Sequence, residues 1–176
     1  MANTFELISS VTVGAGGAAS IDFTSIPATY TDLNAVLSVR TSGDQPGTNY
    51  CQLKMTYNGS SSGFSYRMIY GIPGLGVGSL SGSSLSQIDW AGGVVDTTAT
   101  SSTFGSNSIY IPNYAGSAYK SASHDGVTEN NATNALETMT ASLWSDTAAI
   151  NRITFTAETG SFVQYSTAYL YGVKNS

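Results

Sequence analysis

Leu33-Asn34-Ala35-Val36-Leu37-Ser38-Val39-Arg40 decides the fold class. Leu33, Ala35, Leu37 and Val39 alternate with Asn34, Val36, Ser38 and Arg40. Side chains alternate across an extended chain with a period of two, so this text predicts a β-strand with one buried face. The same period spreads outward from it. Phe5, Leu7, Ser9, Val11 and Val13 share one face of a first strand, which Gly14-Ala15-Gly16-Gly17 breaks. Ser20-Ile21-Asp22-Phe23 is a short second strand, and Ile26-Pro27-Ala28 opens a loop. Thr41 to Thr48 is a turn cluster with Gly43, Asp44, Pro46 and Gly47. Cys51, Leu53, Met55 and Tyr57 give the next inward face, and Phe64, Tyr66, Met68 and Tyr70 another. Between them Asn58-Gly59 is a turn dipeptide, because both residues tolerate positive φ.

Strand text resumes at Leu85-Ser86-Gln87-Ile88-Asp89-Trp90, near Ser108 to Ile111, and over Ala118 to His124, where Asp125-Gly126 predicts a second turn. Met139, Ala141 and Leu143 oppose Thr140, Ser142 and Trp144. Ile153, Phe155 and Ala157, then Phe162 to Ser166 and Ala168 to Val173, complete the pattern. The expectation is about nine or ten strands. Asn130 to Leu136 is the one helix candidate, short and Asn-rich. No linker or fixed-period repeat divides residues 1–176, so a single domain is predicted. An all-β, antiparallel β-sandwich of jelly-roll type is the economical solution.

Composition narrows the function classes. The chain has 176 residues, with 10 % charged and 41 % hydrophobic residues, 27 Ser, 21 Thr and a net charge of −5. That balance excludes a disordered tail, which needs high charge and low hydrophobicity. The acidic sum argues against a nucleic-acid-binding module. The least polar run, Met68 to Gly78, is too short to span a membrane and is broken by Pro73 and four glycines. The opening Met1-Ala2-Asn3-Thr4-Phe5-Glu6 has neither a basic nor an apolar leader segment, so no secretion signal is expected. Cys51 is the only cysteine, which leaves no intrachain disulfide and no thiolate zinc site.

No catalytic constellation emerges. His124 is the only histidine, and on a strand its neighbour Asp125 points to the opposite face. The expectation is a histidine at a hairpin end beside a turn aspartate. Gly74-x-Gly76-x-Gly78 lacks the Gly-Lys-Ser/Thr and the helix that a phosphate loop needs. Asp125, Glu129, Asn130 and Asn131 lack the spacing of a calcium loop. No catalytic, cofactor or metal residue is therefore nominated, and a non-enzymatic protein is expected. Tyr is favoured where an apolar body and a polar tip both find partners. Tyr110, Tyr114 and Tyr119, and Tyr165, Tyr169 and Tyr171, accordingly suggest sandwich rims, subunit contacts or stacking on sugars.

Residues 71–84 have a different texture and predict a long flexible loop carrying apolar side chains. A solvated loop has no reason to keep Ile72, Leu75, Val77 and Leu80. With Pro73 they are the candidate partner-contact residues; the alternative is that the loop folds back over its own sandwich.

Several segments resemble tailed-bacteriophage virion proteins. They are Ser20 to Leu33, the strand Ala35 to Thr41, the Tyr57-Asn58-Gly59 turn, Tyr70-Gly71, Ile150 to Phe155, Gly160-Ser161-Phe162, and the ending Ala168-Tyr169-Leu170-Tyr171-Gly172-Val173-Lys174. The resemblance covers about half the chain and leaves residues 72–140 unmatched. It implies a jelly-roll module of the virion, in a family that includes capsid decoration (cement) proteins, head-fibre heads and tail-fibre domains. The leading expectation is a homotrimeric decoration protein that bridges major capsid protein subunits, with no cofactor, nucleic acid or membrane partner. The alternative is a fibre module recognising host surface polysaccharide.

Overall fold

The computed structural model describes residues 4–131 and 134–174. Twelve strands, all paired antiparallel, form among them, more than the nine or ten predicted. They are β1 (Phe5–Thr12), β2 (Ile21–Phe23), β3 (Asp32–Val39), β4 (Tyr50–Tyr57), β5 (Phe64–Ile72), β6 (Gly76–Leu85), β7 (Ile88–Val95), β8 (Gly105–Ile111), β9 (Lys120–Val127), β10 (Glu137–Trp144), β11 (Ile153–Ala157) and β12 (Thr167–Val173).

Their pairing is that of a jelly roll with two insertions. One sheet has the order β1-β12-β3-β8-β9-β10-β5-β6, the other β2-β11-β4-β7. Set aside β5–β6 and β9–β10 and eight strands remain, with nested pairs β1·β12, β2·β11, β3·β8 and β4·β7. The pairs β12·β3 and β11·β4 join them into two four-stranded sheets. A long antiparallel ribbon rolled on itself gives this order. The two inserted pairs then continue the first sheet beyond β8, through β8·β9, β9·β10, β10·β5 and β5·β6.

The alternating residues of the sequence supply the core. Leu33, Ala35, Leu37 and Val39 of β3 face Leu53 and Met55 of β4, Ile109 and Ile111 of β8, Phe155 of β11 and Leu170 of β12 within one buried cluster. Tyr57, Phe64 and Trp144 pack ring on ring, with centroids 5.7–6.1 Å apart. Asn58 and Gly59 take the predicted positive φ, 53° and 69°, and Ser60 N donates to Tyr57 O. This turn joins no hairpin. It carries the chain from the small sheet to the large one, and Asn58 Nδ2 anchors it on Ala149 O at 2.8 Å.

Several predicted features differ. A register shift between Leu7 and Ser9 puts Phe5 and Leu7 on the face opposite Ser9 and Val11. Phe162 makes isolated bridges to Ala18 and Thr41, while 162–166 forms no strand. Residues 71–84 are not a flexible loop: only Pro73, Gly74 and Leu75 turn, and the rest belongs to the β5–β6 hairpin. Asp125-Gly126 is not a turn but the interior of β9, where Gly126 serves close approach; a Cβ there would lie 2.6 Å from Asn107 Oδ1. The described residues of the helix candidate, 130–131 and 134–136, are irregular, while Ala132 and Thr133 lie outside the described residues. The leader reading likewise rests partly on Met1, Ala2 and Asn3, which lie outside them.

Candidate functional site

The hairpin divides the predicted contact residues between two faces. Val77 is opposite Gly71 and Leu80 is opposite Met68, so the two point to opposite sides of the sheet. Val77 joins Ile69 and Met139 on the outer side, around a shallow hollow of about 240 Å³ that Glu137 borders. Pro73 and Leu75 stand at the exposed tip, and Leu75 and Val77 are 81 % and 85 % exposed. Ile72 and Leu80 turn inward and line a separate cleft. The structure thus brings Val77, Ile69 and Met139 together but does not gather all five residues into one patch. Ile69 and Met139 were missed because their own strands read as singly faced; both carry apolar residues on both sides.

That outer side continues across the whole large sheet. Following the registers, Met139, Ile69 and Asp125 face the same way, as do Ser108, Val36 and Tyr169. Exposed Phe5 and Leu7 end the face at β1, and exposed Ile69 on β5 and Val77 on β6 end it at the other edge. Across its eight strands the sheet carries only Glu6, Asp32, Arg67, Lys120, Asp125 and Glu137 as charged residues, and Lys120 is buried. Asp32 is occupied, since Tyr110 Oη donates to its Oδ2 at 2.5 Å. Tyr169 stacks on Tyr171 at 6.5 Å. Seven strand spacings make this face about 34 Å wide. Its free edge, β6, contains neither charge nor proline, the usual devices that keep an edge strand from pairing. Of the other singled-out tyrosines, Tyr119 and Tyr165 are exposed, whereas Tyr114 is core, its hydroxyl donating to Pro27 O.

The inward side of the hairpin meets the small sheet. Here Tyr50, Gln52, Trp90, Tyr70 and Glu158 surround a cleft of about 240 Å³ with Met68, Ile72, Leu80 and Leu136 as its apolar lining. The cleft forms because β7, the last strand of the small sheet, crosses over β8, β9, β10 and β5.

His124 does not sit at a hairpin end. It is buried within β9, with Nδ1 3.3 Å from Ala91 O and Nε2 2.7 Å from Ser142 Oγ. An Nδ1 proton donated to the carbonyl leaves Nε2 to accept from the Ser142 hydroxyl. Burial pushes the imidazole down to about 4, so it is neutral near pH 7. The pair has the spacing of a nucleophile and its base, yet both residues are 4 % exposed. Both side chains are buried, and the geometry satisfies two buried polar groups. Asp125 faces the outer surface, and Glu129 Oε1 accepts from Asn131 N at 2.8 Å. Among the described residues no three His, Cys, Asp or Glu side chains group as metal ligands. Burial raises the Cys51 thiol above its ordinary value. No helix among the described residues is long and apolar enough to cross a membrane.

No family model matches the chain, and neither a curated protein nor a solved structure matches it.

Proposed function

We propose that this protein is a non-enzymatic bacteriophage virion component, a decoration protein that cements the head by bridging neighbouring major capsid protein subunits. The observation that carries the reading is the outer face of the eight-stranded sheet, broad, poor in charge and studded with exposed apolar side chains. Faces of this kind mark contacts with other proteins. A jelly roll braced by a continuous core is a rigid plate on which to hold such a face, and burial against a capsid lattice adds adhesion without chemistry. The same face, aromatic at β1 and β12, suits contacts between copies in a homotrimer. The resemblance of the outer segments to virion proteins supports the same reading. Locating the chain on intact particles tests it. Many copies spread over the head are expected, and absence from the particle would end the proposal.

The aromatic cleft favours a second reading, a fibre module that meets host surface polysaccharide. Location again separates the two: few copies at a fibre tip belong to this reading alone.

A further inference from the structure

We infer that the cleft between the β5–β6 hairpin and the small sheet binds one ring of a neutral sugar, held against Trp90, Tyr50 and Tyr70 and hydrogen-bonded by Gln45, Gln52 and Glu158. Among the described residues, the side-chain amides of Gln45 and Gln52, the hydroxyls of Tyr50 and Tyr70, and the indole N–H of Trp90 make no hydrogen bond within the protein. Glu158 uses one oxygen to accept from Gln52 N at 3.2 Å and keeps the other. None of these polar atoms is buried without a partner, so they open onto the cleft, where a ligand that offers both a flat apolar face and hydroxyls would take the place of water. A pyranose does: its C–H faces lie on aromatic rings and its hydroxyls both donate and accept.

The alternatives fit less well. An anionic ligand would find Glu158 and no cation in the lining. A quaternary ammonium suits an aromatic cage beside a carboxylate, but it makes no use of the two amides, two phenols and indole that open onto the cleft. A purely apolar ligand makes no use of the same groups. The space, about 240 Å³, lies below the usual range for drug-sized ligands and suits a single ring. Tyr70 is held in place for this role. It lies across Gly78 of the neighbouring strand, where a Cβ would come within 2.4 Å of its ring.

The inference rests on the second reading only in supposing that sugar is met at the particle surface. The test is independent of where the protein sits. The full chain, labelled with ¹⁵N, is titrated with methyl α-glucopyranoside, methyl β-galactopyranoside, N-acetylglucosamine and, separately, choline chloride. At least one glycoside should shift the Trp90 indole N–H signal saturably, with a Kd on the order of 1–10 mM, as expected for one small ligand. Gln52→Ala should raise that Kd fivefold or more with the melting temperature unchanged, since its side chain makes no internal bond. Gln45→Ala provides a second variant with the same expectation. Response to choline alone, response to nothing, or an undiminished affinity in both variants would each overturn the inference. A head-bound protein that binds a glycoside would keep this inference and lose only the second reading.

Discussion

The side-chain amide of Asn107 pairs with the backbone of Gly93: Gly93 N donates to Oδ1 and Nδ2 donates to Gly93 O, both at 3.0 Å. Gly93 lies on β7, the terminal strand of the small sheet, so the amide acts as a one-residue substitute for a missing neighbour strand. The two sheets approach closely enough for this only because glycines meet there. A Cβ on Gly92, at φ 151°, would fall 1.9 Å from Asn107 Oδ1. Asn107→Ala strands a buried N–H and a buried carbonyl and should cost about 2–4 kcal/mol. Urea denaturation at constant m-value measures it. A loss near zero would mean that the sheets simply relax apart.

His124 gives stability a pH dependence. Its folded-state value, about 4, lies below the ordinary 6.5, so the folded protein binds fewer protons than the unfolded chain in between. Stability should therefore be fully present above pH 6.5 and fall as the pH drops towards 4. The groups beside it in register, Ile109 and Thr140, carry no charge that could shelter an imidazolium. Between pH 7 and pH 5 the expected loss is about 2 kcal/mol. His124→Gln should flatten the profile over that window. Parallel profiles for the two proteins would refute the assignment.

Lys120 is buried without a carboxylate partner in contact. Its Nζ donates to Gly116 O at 2.6 Å, Ala118 O at 2.5 Å and Thr147 O at 3.3 Å, and burial lowers its pKa. The ammonium thus ties the loop before β9 to the loop after β10. Lys120→Met keeps the stem and leaves three carbonyls without their donor. It should destabilise by about 2–4 kcal/mol. Faster amide exchange around residues 114–118 and 146–149 should accompany the loss, and exchange confined to other regions would count against the clasp.

Leu75→Asp with Val77→Asp changes two side chains that are almost fully exposed. Melting of the isolated protein should stay within about 4 °C, because two surface changes away from the core rarely exceed about 1 kcal/mol together. Occupancy on particles should fall at least tenfold if the hairpin tip and outer face dock on the capsid. Full occupancy would move the contact elsewhere on the molecule.

Self-association provides a separate check. Light scattering should give three times 18.3 kDa, and the value should hold between low and high salt because the proposed face has few charges. A monomer at micromolar concentration would argue against a trimer preformed in solution.

The period-two text of β3, β4, β11 and β12 was enough to establish an all-β sandwich, because a strand with one buried face must alternate wherever it pairs. Local text could not reveal β6. Gly76 to Leu85 is mostly Gly and Ser, with little strand preference of its own, and it is extended because β5 supplies a ladder. Asp125-Gly126 carries the residues of a turn, yet tertiary packing uses that glycine to admit Asn107. The apolar residues of 72–80 were visible in the sequence, but their division between the outer face and the cleft follows from register, which pairing across strands sets. The companions of Val77 and the lining of the cleft come from β4, β5, β7 and β10 and from the chain after β11. Sequence alone determined which residues alternate. Only the roll of the sheets, fixed by long-range hydrogen bonding and core burial, decided which of them meet.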